Sequence, residues 1–164
     1  MHAVFMEENT MEQTFVLLKP DAVQRGLLGE IVSRLEQKGL QLVGMKMIQL
    51  DDAVLDEHYA HLKAKPFFPG IKTFMKSAPC VACVWQGKEA VDVVRQLCGV
   101  TNSRKALPGT IRGDLGISMQ ANLIHASDSL ETAKAEVKRF FKKDELFHYA
   151  KALDPFLYSK DEKA

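Results

Sequence analysis

The chain has 164 residues and a formal net charge of +1, because 22 Lys and Arg side chains nearly balance 21 Asp and Glu side chains. This length suits one domain, and the balanced charge disfavours a protein that coats DNA or binds an anionic membrane. Hydrophobic residues make up 46% and charged residues 26%, which is typical of a folded globular domain. No apolar run approaches the ~20 residues of a membrane span, and residues 1–10 lack the pattern of a secretory signal. We therefore expect a soluble, cytoplasmic protein.

Three cysteines, Cys80, Cys83 and Cys98, form an odd and sparse set that fits a reducing compartment better than a disulfide framework. Cys80 and Cys83 spell a C-x-x-C motif, which is compatible with redox chemistry or a zinc site. They lie in an apolar run that predicts a buried strand. Side chains three positions apart on a strand point to opposite faces and cannot share a metal ion. We expect both thiols to be structural.

The predicted secondary structure begins after residues 1–12, a polar stretch without periodicity that we interpret as a flexible N-terminal extension. Residues 13–164 then form a single predicted domain. Apolar and alternating patterns predict four strands, at residues 14–18, 40–50, 80–85 and 121–125. Apolar residues at helical spacing predict helices at 27–35, at 52–62 after an Asp51–Asp52 cap, at 71–75 after a break at 66–70, between Gly87 and Gly99, and after a cap at residues 127–129.

Residues 100–116 form the least periodic stretch, rich in Thr, Asn, Arg, Gly and Pro, and are predicted to be irregular. Without the short helices between the second and third strands, the order of elements is β-α-β-β-α-β. This order is the split βαβ or ferredoxin-like arrangement, so we predict an α+β fold with a four-stranded antiparallel sheet covered by helices. A fold of this kind does not by itself specify a function.

Common phosphate-binding loops are absent, since the sequence contains neither G-x-x-x-x-G-K-[ST] nor G-x-G-x-x-G. A nucleotide would therefore have to be held by side chains. The candidates are Lys19, Arg95, Thr101 and Arg112, because the planar fork of an arginine binds phosphate oxygens bidentately and keeps its charge. On the sequence alone, ordinary surface charges stay the alternative for Arg95 and Arg112.

His125 differs from the other histidines because it ends an apolar strand and is followed at once by a strand-to-helix turn at residues 126–129. A helix N-terminus favours anions, so an imidazole at this place could act as a nucleophile toward a phosphoryl group and form a phosphohistidine. A purely structural histidine stays the alternative. His58 and His61 lie three apart on a predicted helix without partners at a recognised metal spacing, and we expect them to lie on a solvated face.

The segment Asn122-Leu-Ile-His-Ala-Ser-Asp-Ser129 resembles the active-site signature of nucleoside diphosphate kinases. Further segments resemble parts of the same family in the family order: residues 14–26, His58-Tyr59, residues 65–68 and residues 108–114. The resemblance covers about residues 13 to 150. It implies an enzyme that transfers the γ-phosphoryl group of a nucleoside triphosphate to a nucleoside diphosphate, by a ping-pong mechanism through a phosphohistidine on His125.

The resemblance also implies a role for each matched residue. His125 would carry the phosphoryl group, Glu136 would orient the imidazole, and Ser127 would assist that contact. Lys19 and Tyr59 would touch the transferring group. The nucleotide would be held by phosphate contacts from Arg95, Thr101 and Arg112, by sugar contacts from Lys19 and Asn122, and by base contacts from Phe67, Ile71 and Met119.

Mg²⁺ is the implied cofactor, held mainly by nucleotide phosphates and water, so no protein metal ligand is expected. The implied partners are nucleoside tri- and diphosphates. Further copies of the chain are also implied, in a hexamer or a tetramer built from dimers. Neither a membrane nor a nucleic acid is expected as a partner. Three positions depart from the family pattern. Ser103 replaces a frequent proline in a subunit-contact loop, Ala126 replaces a glycine after His125, and Met119 replaces a valine.

Two functions from other classes stay as alternatives. The first is a catalytically silent nucleotide-binding module on the same fold, which is disfavoured because the residues that the chemistry needs are present. The second is a nucleic-acid-binding module, since some ferredoxin-like domains have that function. The net charge of +1 and the lack of an aromatic RNP-like strand disfavour it.

Overall fold

A four-stranded antiparallel sheet lies at the centre of the computed structural model, which describes residues 11–162 of the chain. Its strands are β1 (Glu12–Leu18), β2 (Gln41–Ile48), β3 (Cys80–Gly87) and β4 (Ile124–Ala126). They stand in the order β2-β3-β1-β4, and each neighbouring pair is antiparallel. This order confirms the predicted ferredoxin-like α+β fold.

Helices cover both faces of the sheet. Within the described range they are α1 (Pro20–Gln24), α2 (Leu28–Gln37), α3 (Asp52–His58), α4 (Phe68–Met75), α5 (Ala90–Cys98), α6 (Ile111–Leu115), α7 (Leu130–Phe140) and α8 (Asp154–Leu157). Short 3₁₀ turns occur at Ala60–Leu62, Ser103–Lys105, Lys143–Glu145 and Lys160–Glu162. Within residues 11–162, no helix has the length and apolarity needed to cross a membrane.

Alternating side chains of β1 divide the core into two layers. Val16 and Leu18 pack with α2 and α5 on one face of the sheet, and Phe15 and Leu17 pack with α3, α4 and α7 on the other. None of these four side chains has exposed surface. A slip of β1 by one residue would exchange the two sets, so burial on both faces fixes the register of the strand that pairs with β4.

The boundaries of β1 and β4 differ from the predicted ones. β1 begins at Glu12, earlier than the predicted residue 14, because its polar first residues still pair with the end of β3. β4 occupies residues 124–126 instead of 121–125, because Leu123 adopts a left-handed backbone with a φ of 72° that interrupts the strand. Residues 1–10 of the predicted extension lie outside the described residues.

Two helices occur where breaks are predicted. α4 starts at Phe68, inside the predicted break at 66–70, because Pro69 lies in the first turn, where its missing N–H is not needed. α6 interrupts the predicted irregular stretch, and the Thr110 hydroxyl caps it by accepting a hydrogen bond from the Gly113 N–H at 3.0 Å. Pro and Gly composition was therefore misleading at positions where a helix N-terminus tolerates these residues.

The three cysteines are free and buried. Cys83 packs in the layer beside α2 and α5, whereas Cys80 packs in the layer under α3 and α4, so the C-x-x-C thiols lie on opposite faces as predicted. Burial raises the pKa of Cys80 and Cys83 to about 12 and the pKa of Cys98 to about 11. All three thiols therefore stay protonated and belong to the core.

Candidate active site

His125 is the central residue of β4, where it pairs with Leu17 of the buried strand β1. Its imidazole contacts Glu136, with Nε2 at 3.0 Å and 3.1 Å from the two carboxylate oxygens. The side chain of His125 keeps 22% of its surface exposed, against 5% for Glu136. The imidazole is thus held from the buried side while part of it stays accessible to a ligand.

Glu136 reaches His125 because it lies on the inner face of α7, the helix that follows β4 after a short turn. Ser129 ends this turn and caps α7, since its hydroxyl accepts a hydrogen bond from the Thr132 N–H at 3.1 Å. Ser127, fully buried in the same turn, donates its hydroxyl proton to the Glu136 carboxylate at 2.5 Å. The structure therefore brings His125, Glu136 and Ser127 together in one hydrogen-bonded group.

The contact with Glu136 determines which imidazole nitrogen of His125 is free. An ionised carboxylate only accepts hydrogen bonds, so Nε2 carries the imidazole proton in this contact. In the neutral ring, Nδ1 is then the nitrogen that presents a lone pair. The geometry therefore orients a nucleophilic nitrogen away from the carboxylate that holds the ring.

The backbone before β4 is held in an unusual conformation. Leu123 is fully buried and has a left-handed φ of 72°, which is costly for a residue with a side chain. Asp21 accepts a hydrogen bond from the Leu123 N–H at 3.0 Å, and the Lys19 N–H donates to the Leu123 carbonyl at 2.8 Å. Lys19 and Asp21, which follow β1, therefore fix the backbone of Leu123, two residues before His125. The sequence predictions missed Asp21, although it lies in the family-like segment 14–26.

Arg112 lies buried under the same segment, with only 9% of its surface exposed. Its guanidinium donates to three backbone carbonyls: Nη1 to Gly99 at 2.7 Å, Nε to Asn122 at 3.3 Å, and Nη2 to Ile124. The side chain thus joins the end of α5 to the beginning of β4. An arginine has more N–H donors than these three contacts use, and the predicted contact of Arg112 with a phosphate stays a prediction.

Lys19 and Asn122 form a second connection within the site. Lys19 Nζ donates to Asn122 Oδ1 at 2.7 Å. Asn122 is almost fully buried, and its amide donates to the carbonyls of Thr101 and Met119, both at 2.9 Å. The Asn122 side chain therefore fixes two loop carbonyls as well as the lysine, while its predicted contact with a sugar hydroxyl stays a prediction.

The positive charges of the site repel one another, and this repulsion lowers the pKa values of Lys19 and Arg112. Burial first, and the charge of Arg112 second, lower the pKa of Lys19 to about 8. Burial, together with the nearby charge of Arg95, lowers the pKa of Arg112. A polyanion relieves this mutual repulsion, so the cluster is electrostatically suited to bind phosphate groups.

His58, at the end of α3, is a site residue that the sequence predictions missed. Its ring centroid lies 4.6 Å from the rings of both His125 and Tyr59, and its Nδ1 is 3.6 Å from Glu136. Burial lowers the pKa of His58 to about 2, so the ring is neutral. Burial also raises the pKa of Tyr59, which keeps its phenolic proton.

The prediction of a solvated helix face is therefore wrong for His58. Asp51 caps α3 by accepting a hydrogen bond from the Val54 N–H at 2.9 Å, and the helix then turns His58 toward the sheet. His61 lies beyond the end of α3 in a 3₁₀ turn and is exposed, as predicted. The only sequence signal for His58 was its place in the family-like pair His58-Tyr59.

The predicted base-contact residues lie largely at the surface. Phe67 is 53% exposed and Met119 is 60% exposed, while Ile71 is partly buried. Arg95 and Thr101, predicted to bind phosphates, are also exposed. An exposed phenyl ring offers a flat apolar face on which a base can stack. The roles of these residues stay predictions.

One cluster of metal-type donors occurs among residues 11–162, formed by His58, His125 and Glu136 with ligand atoms within 4.8 Å of one another. Imidazole nitrogens with a carboxylate suit zinc, whereas Mg²⁺ prefers an octahedral set of oxygens. The Glu136 carboxylate is also already engaged by Ser127 and His125. The donor chemistry of this cluster therefore does not fit a protein-held Mg²⁺.

Comparison with known proteins decides the family. The profile described as nucleoside diphosphate kinase matches residues 12–146, a range that contains all the predicted site residues. The chain belongs to the nucleoside diphosphate kinase family. A curated nucleoside diphosphate kinase of Parabacteroides distasonis is 59% identical over 152 residues, covering 93% of this chain and 99% of that protein. The one from Carboxydothermus hydrogenoformans is 51% identical over 148 residues, covering 90% of this chain and 99% of that protein.

Solved structures of the same family share the fold. A halophilic nucleoside diphosphate kinase from Halobacterium salinarum, in complex with CDP, superposes with a TM-score of 0.88 at 47% identity, covering 90% of this chain and 99% of its own. A nucleoside diphosphate kinase family protein from Babesia bovis gives 0.86 at 38% identity, with the same coverage. The chain is accordingly a phosphotransferase that acts on nucleotides through a phosphohistidine.

Proposed function

We propose that Nδ1 of His125 carries the phosphoryl group between a nucleoside triphosphate and a nucleoside diphosphate in a ping-pong reaction. The observation that carries this proposal is the 3.0 Å contact between His125 Nε2 and Glu136, which leaves Nδ1 with a lone pair. The partial exposure of the imidazole supports access by a phosphate group. A structural histidine would need neither the free nitrogen nor the surrounding cations.

The chemistry needs no additional base. In the first half-reaction, the Nδ1 lone pair of His125 forms a bond to the γ-phosphorus, and the bond from that phosphorus to the bridging oxygen breaks. The nucleoside diphosphate leaves with that electron pair. In the second half-reaction, a terminal oxygen of another nucleoside diphosphate attacks the phosphorus and the N–P bond breaks. The proton on Nε2 stays in place, and Glu136 stabilises the positive charge that develops on the ring.

The remaining residues bind and position the phosphates. The loose transition state of phosphoryl transfer requires charge compensation and alignment more than covalent assistance. Lys19, Arg95 and Arg112 would supply that charge, with Thr101 and the Tyr59 hydroxyl as neutral donors. Mg²⁺ would add charge compensation when bound, and we propose that nucleotide phosphates and water hold it, since the donors beside His125 do not suit it.

The proposed function is tested by incubating the protein with ATP labelled in its γ-phosphoryl group and then adding unlabelled GDP. We expect the label on the protein first, and then in GTP as the protein loses it. Binding of nucleotide without labelling of the protein would instead support the catalytically silent alternative. A labelled protein that does not discharge to GDP would contradict the ping-pong reaction.

Lys19 gives the reaction a dependence on pH. Burial and Arg112 lower the pKa of Lys19 to about 8, although the Asp21 carboxylate opposes the shift. As the pH rises through about 8, Lys19 of the free enzyme loses its charge and binds phosphate less well. We expect kcat/KM to fall above this pH, because kcat/KM reports the groups of the free enzyme.

The matched variant for this prediction is Lys19→Gln, which cannot titrate. We expect its kcat/KM to be roughly 10- to 100-fold lower at pH 7, the size of a lost charged hydrogen bond. We also expect its profile to lack the fall near pH 8. An unchanged fall in the variant would show that another group titrates there.

Base selectivity is expected to be weak. Phe67 would recognise the base by stacking, and stacking uses the face that all bases share. We expect ADP, GDP, CDP and UDP all to act as acceptors, with kcat/KM values within about two orders of magnitude, which is a few kcal/mol of stacking difference. Steady-state kinetics with each acceptor measures the spread, and a preference of several orders for one base would contradict stacking.

Phe67→Ala provides the control for this interpretation. Because Phe67 is exposed and contributes little to the core, its removal is expected to weaken nucleotide binding for every base without unfolding the protein. Leu107→Ala is the matched control, since Leu107 is also a large exposed apolar residue. A loss confined to one base in Phe67→Ala would show that this side chain reads a base edge or shape.

We also propose that the chain forms a homo-oligomer built from dimers, either a hexamer or a tetramer. β2 supports this because it is an edge strand and exposes Met45 and Met47, at 44% and 59%. Val100 and Ile117 add further exposed apolar surface on the loop side. Unpaired edges and apolar patches are frequently covered by a partner. Light scattering distinguishes the two assemblies, and a monomeric mass would contradict both.

The cytoplasm is the location that we propose. Its support is chemical, because all three cysteines are free thiols and free thiols persist in a reducing compartment. The lack of a membrane-crossing helix within residues 11–162 is compatible with this location. Cell fractionation tests it, and recovery in an extracellular or membrane fraction would contradict it.

A further inference from the structure

Two imidazoles and a carboxylate converge beside the proposed nucleophilic nitrogen. His125 Nε2 lies 3.0 Å from Glu136 Oε1, and His58 Nδ1 lies 3.6 Å from the same oxygen. The ligand atoms of the three residues lie within 4.8 Å of one another. A tetrahedral Zn²⁺ ion with ligands at roughly 2.1 Å holds them roughly 3.4 Å apart. The three side chains therefore need only small movements to surround one Zn²⁺ ion.

Packing, and not hydrogen bonding, holds the His58 ring. Its side chain has no exposed surface, and its Nε2 has no hydrogen-bond partner among residues 11–162. Nδ1 lies 3.5 Å from Arg139 Nη1, which is longer than the ~2.7–3.2 Å of an ordinary hydrogen bond. A guanidinium only donates, so Nδ1 keeps its lone pair in this contact. The ring can thus turn toward a metal ion without losing a strong hydrogen bond.

The Glu136 carboxylate has one oxygen available as a metal ligand. Ser127 donates its hydroxyl proton to Oε2, and Oε1 is the oxygen that faces both rings. A hydrogen bond of this kind orients a ligating carboxylate. His125 is partly exposed, which leaves a position open for a water molecule. Three protein ligands with one water form the open type of zinc site.

We propose that His58, His125 and Glu136 bind one Zn²⁺ ion, and that the bound ion prevents phosphorylation of His125. The ion takes the lone pair of Nε2. A neutral imidazole carries one proton, which therefore moves from Nε2 to Nδ1. Nδ1 then has no lone pair with which to attack phosphorus. This consequence rests on the proposed function of Nδ1, whereas the metal site itself does not.

Arg139 is the cation that opposes the ion at closest range. Its Nη1 donates toward the lone pair of His58 Nδ1, and its charge repels a second cation. Its Nε forms an ion pair with the exposed Glu57 at 2.7 Å, so the guanidinium has a partner toward which it can withdraw. We therefore expect Zn²⁺ to bind reversibly, as an inhibitor and not as a permanent structural ion.

Metal titrations without nucleotide test the site directly. Co²⁺ absorbs visible light strongly in a four-coordinate site and weakly in water, and Zn²⁺ should remove the strong band by displacing it. In protein with ¹⁵N-labelled histidine, NMR shows which ring nitrogen carries the proton. We expect Zn²⁺ to move the proton of His125 from Nε2 to Nδ1. A proton that stays on Nε2 at saturating Zn²⁺ would overturn the proposal.

His58→Gln removes one ligand and keeps a polar side chain. We expect its affinity for Zn²⁺ to fall by more than about 100-fold, since even outer partners of a metal ligand contribute 10- to 100-fold. His61→Gln is the matched control, because His61 is exposed outside the site, and should bind Zn²⁺ normally. His58→Phe provides a second test that keeps an aromatic ring against Phe15 and Phe140. Unchanged affinity in either His58 variant would overturn the site.

Arg139→Ala should act in the opposite direction. Removal of the nearby charge and of the competing donor is expected to tighten Zn²⁺ binding about tenfold. Lys138→Ala is the matched control, with the same change of charge at an exposed neighbouring position on α7. Equal affinities in the two variants would show that the ion binds away from His58 Nδ1, which would overturn the proposal.

Labelling with γ-labelled ATP in excess Mg²⁺ tests the consequence for the reaction. Zn²⁺ at about ten times its dissociation constant leaves roughly one chain in eleven free, so labelling should slow about tenfold in the unsubstituted protein and in His61→Gln. The slower labelling of His58→Gln should not change, and ATP captures Zn²⁺ equally in every sample. Full labelling of Zn²⁺-loaded protein would overturn the block. Metal-free protein without label would instead contradict the proposed function, while the titrations and NMR still decide the metal site.

Discussion

His125→Ala is expected to abolish phosphoryl transfer, lowering kcat by about 10⁴-fold or more, because the carrier of the covalent intermediate is removed. ATP alone should label the unsubstituted protein with one phosphoryl group per chain. That N–P bond is lost in acid and survives alkali, the reverse of a phosphoserine ester. The variant should show no such label, while nucleotide binding continues because Arg95, Arg112 and Phe67 are intact. Acid-quenched and alkali-quenched labelling with γ-labelled ATP measures both properties.

Several controls make this result specific to His125. His61→Ala should label at the unsubstituted level, since His61 is exposed outside the site. His58→Ala should still label but more slowly, because it loses the neutral ring that packs against His125 and Tyr59. Added imidazole is expected to enter the space left in His125→Ala and restore a little transfer. Acid-stable label on Ser127, or full labelling of His125→Ala, would contradict the mechanism.

Arg112→Ala is expected to lower kcat and kcat/KM together, by roughly 10²-fold or more. Its remaining N–H donors would strengthen their contacts as charge develops on the transferring phosphoryl group, and a contact of this kind contributes mainly to the transition state. Steady-state kinetics over a range of nucleotide concentrations separates the two constants. A change confined to KM would show that Arg112 binds the nucleotide equally in the ground and transition states.

The structure adds a second consequence for Arg112→Ala. Its guanidinium donates to the carbonyls of Gly99, Asn122 and Ile124, and the variant leaves these carbonyls without that partner. An unsatisfied buried acceptor costs about 1–3 kcal/mol, so the free energy of unfolding should also fall. Kinetics should therefore be compared at a temperature where thermal melts show both proteins folded. Arg25→Ala is the matched control, because Arg25 donates to the Leu115 carbonyl from an exposed position.

The catalytic group could be predicted in part from the sequence. The position of His125 between an apolar strand and a capped helix is visible as a local pattern, whereas its role as the nucleophile was predicted from the family resemblance. Glu136 follows in the same helix, only 11 residues later, so the turn and the helix period bring its carboxylate to the imidazole. The role of Glu136 was predicted from the family resemblance, and its short separation from His125 explains how the two side chains meet. Even here, the observed β4 begins later than the predicted strand, because Leu123 has a left-handed backbone. That backbone is held by a contact with Asp21, which is distant in the sequence.

Other parts of the site depend on contacts between distant segments. Lys19 and Asn122 are 103 residues apart, and they meet because β4 pairs with β1. Periodicity shows which residues are apolar in each segment, but it does not show which polar atoms meet when the segments pack. For this reason Arg112 could be predicted as a cation but not as a bridge between three carbonyls.

The sequence by itself determined the order of strands and longer helices, the ferredoxin-like fold that follows from that order, and the family motif around His125. These features depend on hydrophobic periodicity and on residues close in the chain. Only the tertiary structure decided the burial of His58, which depends on how α3 rotates against the sheet. It also decided the lowered pKa of Lys19, because burial and the charge of Arg112 exist only once distant segments have packed together.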